Sequence, residues 1–125
     1  INSSYRRYWN NKVNNYIKNC EDGTDGIRQK NFNMRWVGSL VADASRIFER
    51  GGIFLYPEDK REKNKSGRLR LTYEANPISF LISHAGGKAT NGSIDILNVE
   101  VNEIHQRVPF IFGSKEEVEI FLNTN

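Results

Sequence analysis

The fold class predicted by the sequence is α/β, a layered domain with a mixed β-sheet flanked by helices, and three patterns predict it. Apolar residues recur at helical spacing in separate stretches, short continuous apolar runs lie between them, and Gly or Pro punctuates the joints. Strands alternating with helices are most simply buried as a sheet covered by helical layers. With 125 residues, one hydrophobic core is expected, so residues 1–125 read as a single domain.

Each element follows in order. From about Trp9 to Cys20, the side chains of Val13, Tyr16, Ile17 and Cys20 fall on one helical face. Glu21 to Phe32 is polar, contains Gly23 and Gly26, and reads as a long loop. From about Gly38 to Arg50 a second helix presents Leu40, Val41, Ala44, Ile47 and Phe48, and Gly51-Gly52 end it. Ile53 to Tyr56 is a continuous apolar run of the kind buried on both faces of a sheet. Gly67 to Asn76 reads as a strand, and Asn76-Pro77 as the N-cap and first residue of a helix. The stripe of that helix is Ile78, Leu81, Ile82 and Ala85, and Gly86-Gly87 stop it. Asn91-Gly92 signals a tight turn joining Lys88–Thr90 to Ser93–Val99. Val108 to Phe112 is another buried strand, and Ser114 with Glu117 forms a capping-box pattern opening a helix that carries Val118, Phe121 and Leu122.

The segment from Gly67 to Asn76 carries the chemistry. As a strand it sends Arg68, Arg70, Thr72 and Glu74 one way and Leu69, Leu71, Tyr73 and Ala75 the other. Arg70 and Glu74 would then stand roughly 13 Å apart, a span that a small phosphorylated molecule can bridge. Glu74 would sit just before the positive end of a helix dipole, a place suited to anions and their counter-metals. Alternating charge on the solvated face of an edge strand has the same pattern, so the pattern alone leaves both readings open.

Composition narrows the partners. A 38% hydrophobic and 26% charged content is ordinary for a soluble globular chain. The net charge is +3 and the pI about 9.1, yet the one basic cluster, Lys60-Arg61-Glu62-Lys63-Asn64-Lys65, is interrupted by an acid and lacks interleaved aromatics. It reads as a solvated loop, and no nucleic-acid partner is expected. No apolar run approaches the length of a membrane span, so no membrane partner is expected either. The chain opens on Ile1 rather than Met and reads as a processed or excised piece. A single cysteine, Cys20, cannot form an internal disulfide; it reads as a packing residue in a reducing, cytoplasmic setting. His84 and His105 lack partners at metal-ligand spacing and read as structural, and Asp43 with Arg46 as a surface or interface pair. Gly51-Gly52 and Gly86-Gly87 lack the spacing of a nucleotide-binding loop.

The stretch Gly67-Arg68-Leu69-Arg70-Leu71-Thr72-Tyr73-Glu74-Ala75-Asn76-Pro77 resembles the signature of class I fructose-1,6-bisphosphatase. Four further stretches agree in the same order: Asn33 to Asp43, Gly51 to Pro57, Ala85 to Thr90 and His105 to Pro109. The resemblance covers essentially the whole chain and the carboxy-terminal part of that family, and it implies the carboxy-terminal half of the sugar phosphatase fold. It also implies a magnesium-dependent enzyme of gluconeogenesis that hydrolyses the 1-phosphate of fructose 1,6-bisphosphate. This part alone is expected to be inactive, because the family's other metal ligands sit in an upstream Asp-Pro-Leu-Asp-Gly motif that these residues do not contain.

Roles follow position by position from the resemblance. Asn2 and Tyr5 match the ends of an Asn-Glu-Gly-Tyr stretch that helps hold the sugar 6-phosphate, with Ser3-Ser4 in place of Glu-Gly. Tyr56 matches a tyrosine that reaches the same phosphate. Arg35 matches an arginine that crosses a subunit boundary to the neighbour's 6-phosphate, which implies a homo-oligomer, a tetramer in the parent enzyme. Trp36 stands where many members have a tyrosine. Arg68 replaces a substrate-contacting lysine, keeping the charge but exchanging a compact ammonium for a planar fork, and Arg70 matches directly as a grip on the 6-phosphate. Glu74 matches a carboxylate that ligates Mg2+ near the 1-phosphate. The implied partners are fructose 1,6-bisphosphate and the missing amino-terminal half. Two other readings stay open: a non-catalytic sugar-phosphate-binding or regulatory module, and a parent that prefers sedoheptulose bisphosphate.

Overall fold

The computed structural model describes all 125 residues. Nine regular elements follow one another: α1 (Asn11–Glu21), α2 (Leu40–Arg50), β1 (Ile53–Tyr56), β2 (Leu69–Arg70), α3 (Asn76–His84), β3 (Lys88–Thr90), β4 (Arg107–Val108), β5 (Phe110–Gly113) and α4 (Lys115–Asn123). β5 lies between β1 and β3 in one sheet, and β2 pairs with β4 in a second; every strand pair is antiparallel. The α/β class is the expected one. Successive strand residues point to opposite faces, so Phe54 and Leu55 serve different cores. On one face Phe54, Phe110 and Phe112 pack with Ala44 and Ile47 of α2 and Ile82 of α3. On the other, Leu55 and Ile111 pack with Val13, Tyr16 and Ile17 of α1 and Phe121 of α4. The short run Ile53–Tyr56 is therefore covered on both sides, as its unbroken apolarity predicts.

Local chemistry sets most boundaries. The Asn10 side chain accepts a hydrogen bond from the Val13 N–H at 2.9 Å and starts α1. No side chain caps α2; the Asp43 carboxylate accepts from the Val37 and Gly38 N–H groups of the preceding segment and pairs with Arg46 at 3.0 Å. The expected pair with Arg46 forms, but its acid is buried and not at the surface, because Asp43 also satisfies two backbone donors just before the helix. The inward stripe of α2 is also narrower than expected. Ala44 and Ile47 are buried, whereas Val41 is 71% and Phe48 39% exposed.

Three expectations at the joints are corrected. The Ser114–Glu117 capping box does not form: the Ser114 hydroxyl accepts from the Gly52 N–H, and Glu117 turns to Tyr16 and Arg28. The single strand expected at Val108–Phe112 is cut by Pro109, which lacks an N–H; the chain leaves β4 there and enters the other sheet as β5. After the Asn91-Gly92 turn only the Thr90–Asp95 bridge forms, and Ile96–Asn98 curl into a 3-10 turn, so the expected second strand at Ser93–Val99 is absent.

The largest correction concerns Gly67–Asn76. The strand holds only at Leu69–Arg70; Leu71–Ala75 form a wide π turn that runs directly into α3. The Asn76 N–H reaches back to the Leu71 carbonyl, so Asn76 lies inside the helical run and is not its N-cap. Pro77 supplies a physical reason for the wide turn: it has no N–H and crowds the preceding carbonyls, and a loosened turn relieves both. Leu71 and Ala75 are buried, as expected, while Tyr73 is 49% exposed. In α3 itself Ile82 is buried but Leu81 is 53% exposed, which displaces the expected stripe.

Candidate functional site

The site is built around the point where β2 meets β4. Gly67 has φ +83°, and a Cβ placed on it would lie 2.1 Å from the backbone of Val108 and Pro109. Only glycine permits that approach. Leu69 then stands opposite Val108, and Arg70 opposite Arg107. Because Val108 is buried and Leu69 packs against the core, the two arginines share the outward face. Directly opposed residues place their Cβ atoms about 4.5–5.5 Å apart, so two like-charged side chains leave the sheet from neighbouring points.

These arginines have no anionic partner. The guanidinium groups of Arg6, Arg28, Arg46 and Arg61 each pair with a carboxylate. No such pair forms at Arg7, Arg35, Arg50, Arg68, Arg70 or Arg107, whose side chains reach no Asp or Glu within 4.0 Å; of these, Arg68, Arg70 and Arg107 gather at the β2–β4 junction. The nearest acid in sequence, Glu74, is used differently: one carboxylate oxygen accepts from the Arg70 backbone N–H at 2.6 Å. The strand geometry expected for this pair, with Cα atoms roughly 13 Å apart, is therefore corrected; four residues of helical rise separate them by about 6 Å. The result is a carboxylate at the mouth of a helix with three unpaired guanidinium groups on the adjoining residues and the facing strand. His, Cys, Asp and Glu side chains form no group of three able to hold a metal ion.

A second group lies at the amino-terminal end. The Asn2 side chain accepts from the Ser4 N–H at 3.1 Å and caps a 3-10 turn over Ser3–Tyr8, so the Ser3-Ser4 substitution still leaves an ordered turn. Within that turn the Tyr5 ring lies 3.7 Å from the Arg61 guanidinium carbon. Arg61 donates four hydrogen bonds of 2.6–3.1 Å to the Asp59 carboxylate, one of them from its backbone N–H, and the Asn64 amide donates another at 2.8 Å. The Asp59 carboxyl is pushed up by burial, but hydrogen bonds from Arg61 and Asn64 outweigh this and hold it below its ordinary range. The Lys60–Lys65 run is thus only partly the solvated loop expected from its composition. Lys60, Lys63 and Lys65 are exposed, but Asn64 is buried and Arg61 nearly so.

The remaining residues stand around these two groups. Tyr56 closes β1 beside Phe110, with its ring 5.6 Å from that of Trp36. Arg35 lines a cleft of about 530 Å³ together with Ile1, Cys20, Arg46 and Arg50. Asn2, Tyr5, Tyr56, Arg68, Arg70 and Glu74 do not line that cleft. His105 and His84 are engaged locally, with the Tyr73 hydroxyl and the Phe80 carbonyl respectively. Sequence reasoning assigned no role to Arg107 or to the Asp59–Arg61 clamp. A cross-strand partner has no sequence signal, whereas an acid two residues before an arginine in a charged loop was a weak one.

Comparison with known proteins bears on this geometry. Residues 1–124 match the family described as "Fructose-1-6-bisphosphatase, C-terminal domain". The chain belongs to this family. It is 58% identical over 118 residues to a protein of Azorhizobium caulinodans named "Fructose-1,6-bisphosphatase class 1", covering 94% of this chain and 36% of that protein. It is 56% identical over 119 residues to "Fructose-1,6-bisphosphatase class 1 2" of Xanthobacter autotrophicus, covering 95% of this chain and 36% of that one. The chain thus spans little more than a third of the length of these relatives. No helix is long and apolar enough to cross a membrane.

Proposed function

We propose that the chain is the substrate-binding, carboxy-terminal half of a fructose-1,6-bisphosphatase, which removes the 1-phosphate to leave fructose 6-phosphate in gluconeogenesis. The observation that carries this reading is the junction of β2 with the π turn. It sets the Glu74 carboxylate on the Arg70 backbone and leaves the neighbouring guanidinium groups without an acid. In a chain of this family, unpaired arginines are suited to phosphate oxygens, which take guanidinium bidentately, and an anchored carboxylate is suited to a hard divalent cation.

The roles follow from chemistry. Arg70, Tyr56, Asn2 and Tyr5 would grip the 6-phosphate, with phenol and amide donors supplying direction beside the cationic charge. Arg68 would contact the sugar or its phosphate. Arg35 would serve a neighbouring subunit's 6-phosphate in an oligomer, a tetramer in the parent enzyme. The second Glu74 oxygen, free of the Arg70 bond, would be one ligand of Mg2+ shared with residues of the upstream half. Such an ion, when bound, neutralises phosphoryl charge and lowers the pKa of an attacking water. The outward side of α3, where Phe80 and Leu81 are 55% and 53% exposed, is the surface we assign to that upstream half. The setting would be cytoplasmic.

Phosphate release from fructose 1,6-bisphosphate by the full-length protein, compared with its Arg70→Ala and Glu74→Gln variants, tests the reading. The arginine change should chiefly raise KM, and the glutamate change should chiefly lower kcat. Full-length protein that binds the sugar phosphate tightly but releases nothing at any Mg2+ concentration would instead favour a non-catalytic binding module.

A further inference from the structure

The opposed arginines of β2 and β4 carry an inference beyond these roles, although it rests on the same reading of the site. We propose that Arg107 is a phosphate-binding residue that works as a pair with Arg70, closing on the same phosphate from the facing strand.

The register places Arg107 directly across from Arg70. Like charges at opposed positions destabilise a strand pair, and neither guanidinium has a carboxylate within 4.0 Å, since Glu74 is bonded to the Arg70 backbone and not to its side chain. A shared dianion removes that cost and can accept from both guanidinium forks at once. Arg107 is also held ready. The preceding carbonyl, of Gln106, accepts from the Leu71 N–H at 2.8 Å, and the Gln106 side chain bonds Asn102 and Glu100 across its own loop. On the other side the Val108–Pro109 backbone is pressed against Gly67. The strand is therefore fixed while the side chain stays exposed. That combination of a rigid backbone with an unsatisfied charged tip is preorganisation for a ligand. Edge strands do carry charge to deter aggregation, but one charge per position serves that purpose without opposing a second.

The test uses the full-length protein with Arg107→Gln, Arg107→Lys and, as a control for net charge, Arg50→Gln. Inorganic phosphate affinity is read by calorimetry, KM and kcat on fructose 1,6-bisphosphate, and the melting temperature without phosphate. Losing one charge-assisted contact should weaken phosphate binding about 10-fold or more and raise KM similarly. Arg107→Lys should recover part of the affinity, and Arg50→Gln should resemble the parent. The phosphate-free melting temperature of Arg107→Gln should hold or rise, since a repulsion is removed; a purely structural arginine would lower it. Phosphate affinity of Arg107→Gln within about twofold of Arg50→Gln would overturn the pairing. So would equal loss of affinity in the Lys and Gln variants accompanied by a lower melting temperature. If the parent protein releases no phosphate from the bisphosphate while Arg107→Gln still loses inorganic phosphate affinity, the phosphatase reading fails and the arginine pair stands.

Discussion

The two ends of this molecule treat charge in opposite ways. Between α1 and α4, the Arg28 guanidinium meets Glu117 at 2.6 Å, and the same carboxylate accepts from the Tyr16 hydroxyl at 2.9 Å. Burial pushes the Tyr16 phenol well above its ordinary range, reinforced by Glu117 and Cys20, so it stays a neutral donor. At the β2–β4 junction, the Arg68, Arg70 and Arg107 guanidinium groups pair with no acid, and Gly67 is in a conformation that side chains rarely adopt. A polar cluster that completes itself stabilises the fold, whereas one left incomplete is fitted to an outside partner.

Four measurements break or sharpen that contrast, in descending order of effect. Gly67→Ala should cost on the order of 4 kcal/mol, because the added Cβ meets backbone at 2.1 Å and φ is +83°. Urea unfolding reads this, and a loss below about 1 kcal/mol would mean that the close approach is not needed. Next comes Glu74→Gln in the full-length protein, which keeps an acceptor for the Arg70 N–H but drops the charge. We expect kcat to fall about 10²–10³-fold with little change in melting temperature. A parallel loss of stability would move Glu74 to the structural side.

On the satisfied side, Arg28→Ala leaves Glu117 largely buried without its cation. The cost should be about 2 kcal/mol, below the fully buried range because the side chains are 11% and 14% exposed. Thermal unfolding should show the loss, and turnover by the full-length protein should not change.

The smallest effect belongs to the Asp59–Arg61 clamp. The Asp59 carboxyl titrates lower in the folded chain than its ordinary 3.8, so the unfolded chain binds more protons between the two values and stability rises with pH there. The contribution is complete above about pH 4–5 and is lost as pH falls through the folded value. Asp59→Asn should therefore be less stable than the parent by about 1 kcal/mol at pH 7, and the gap should close below pH 3.8. A gap that persists unchanged at pH 3 would show that the clamp works through shape and not charge.

Much of the fold was legible because it depends on local signals. The positions of α1 and β1 follow the helical recurrence of Val13, Tyr16 and Ile17 and an unbroken apolar run, whereas the Asn10 cap that sets where α1 starts carries no expectation from the sequence. The segment after Gly67 was misread because Leu69, Leu71, Tyr73 and Ala75 fit a period of two. The same residues also begin a helical series, Leu71, Ala75, Ile78 and Ile82, which the structure uses. Pro77 disguised that series by suggesting a helix start where there is a widened turn. At the site, the residues Arg68, Arg70 and Glu74 were nameable from sequence, but their arrangement was not.

By itself the sequence determined the helical and strand stretches that share one chain, the family to which it belongs, and the residue types gathered near its phosphate-like motif. Periodicity, caps and turns act over a few residues, so they survive in a linear reading. Only the tertiary structure decided that Arg70 faces Arg107, that Glu74 bonds to the Arg70 backbone, that Asp43 is buried at a helix entrance, and that Pro109 passes the chain between sheets. The facing of Arg70 and Arg107 and the passage at Pro109 depend on pairings between residues distant in sequence, where burial and cross-strand register outweigh local preference. The Glu74 and Asp43 bonds instead join residues four to six apart through turns that follow neither a regular strand nor a regular helix.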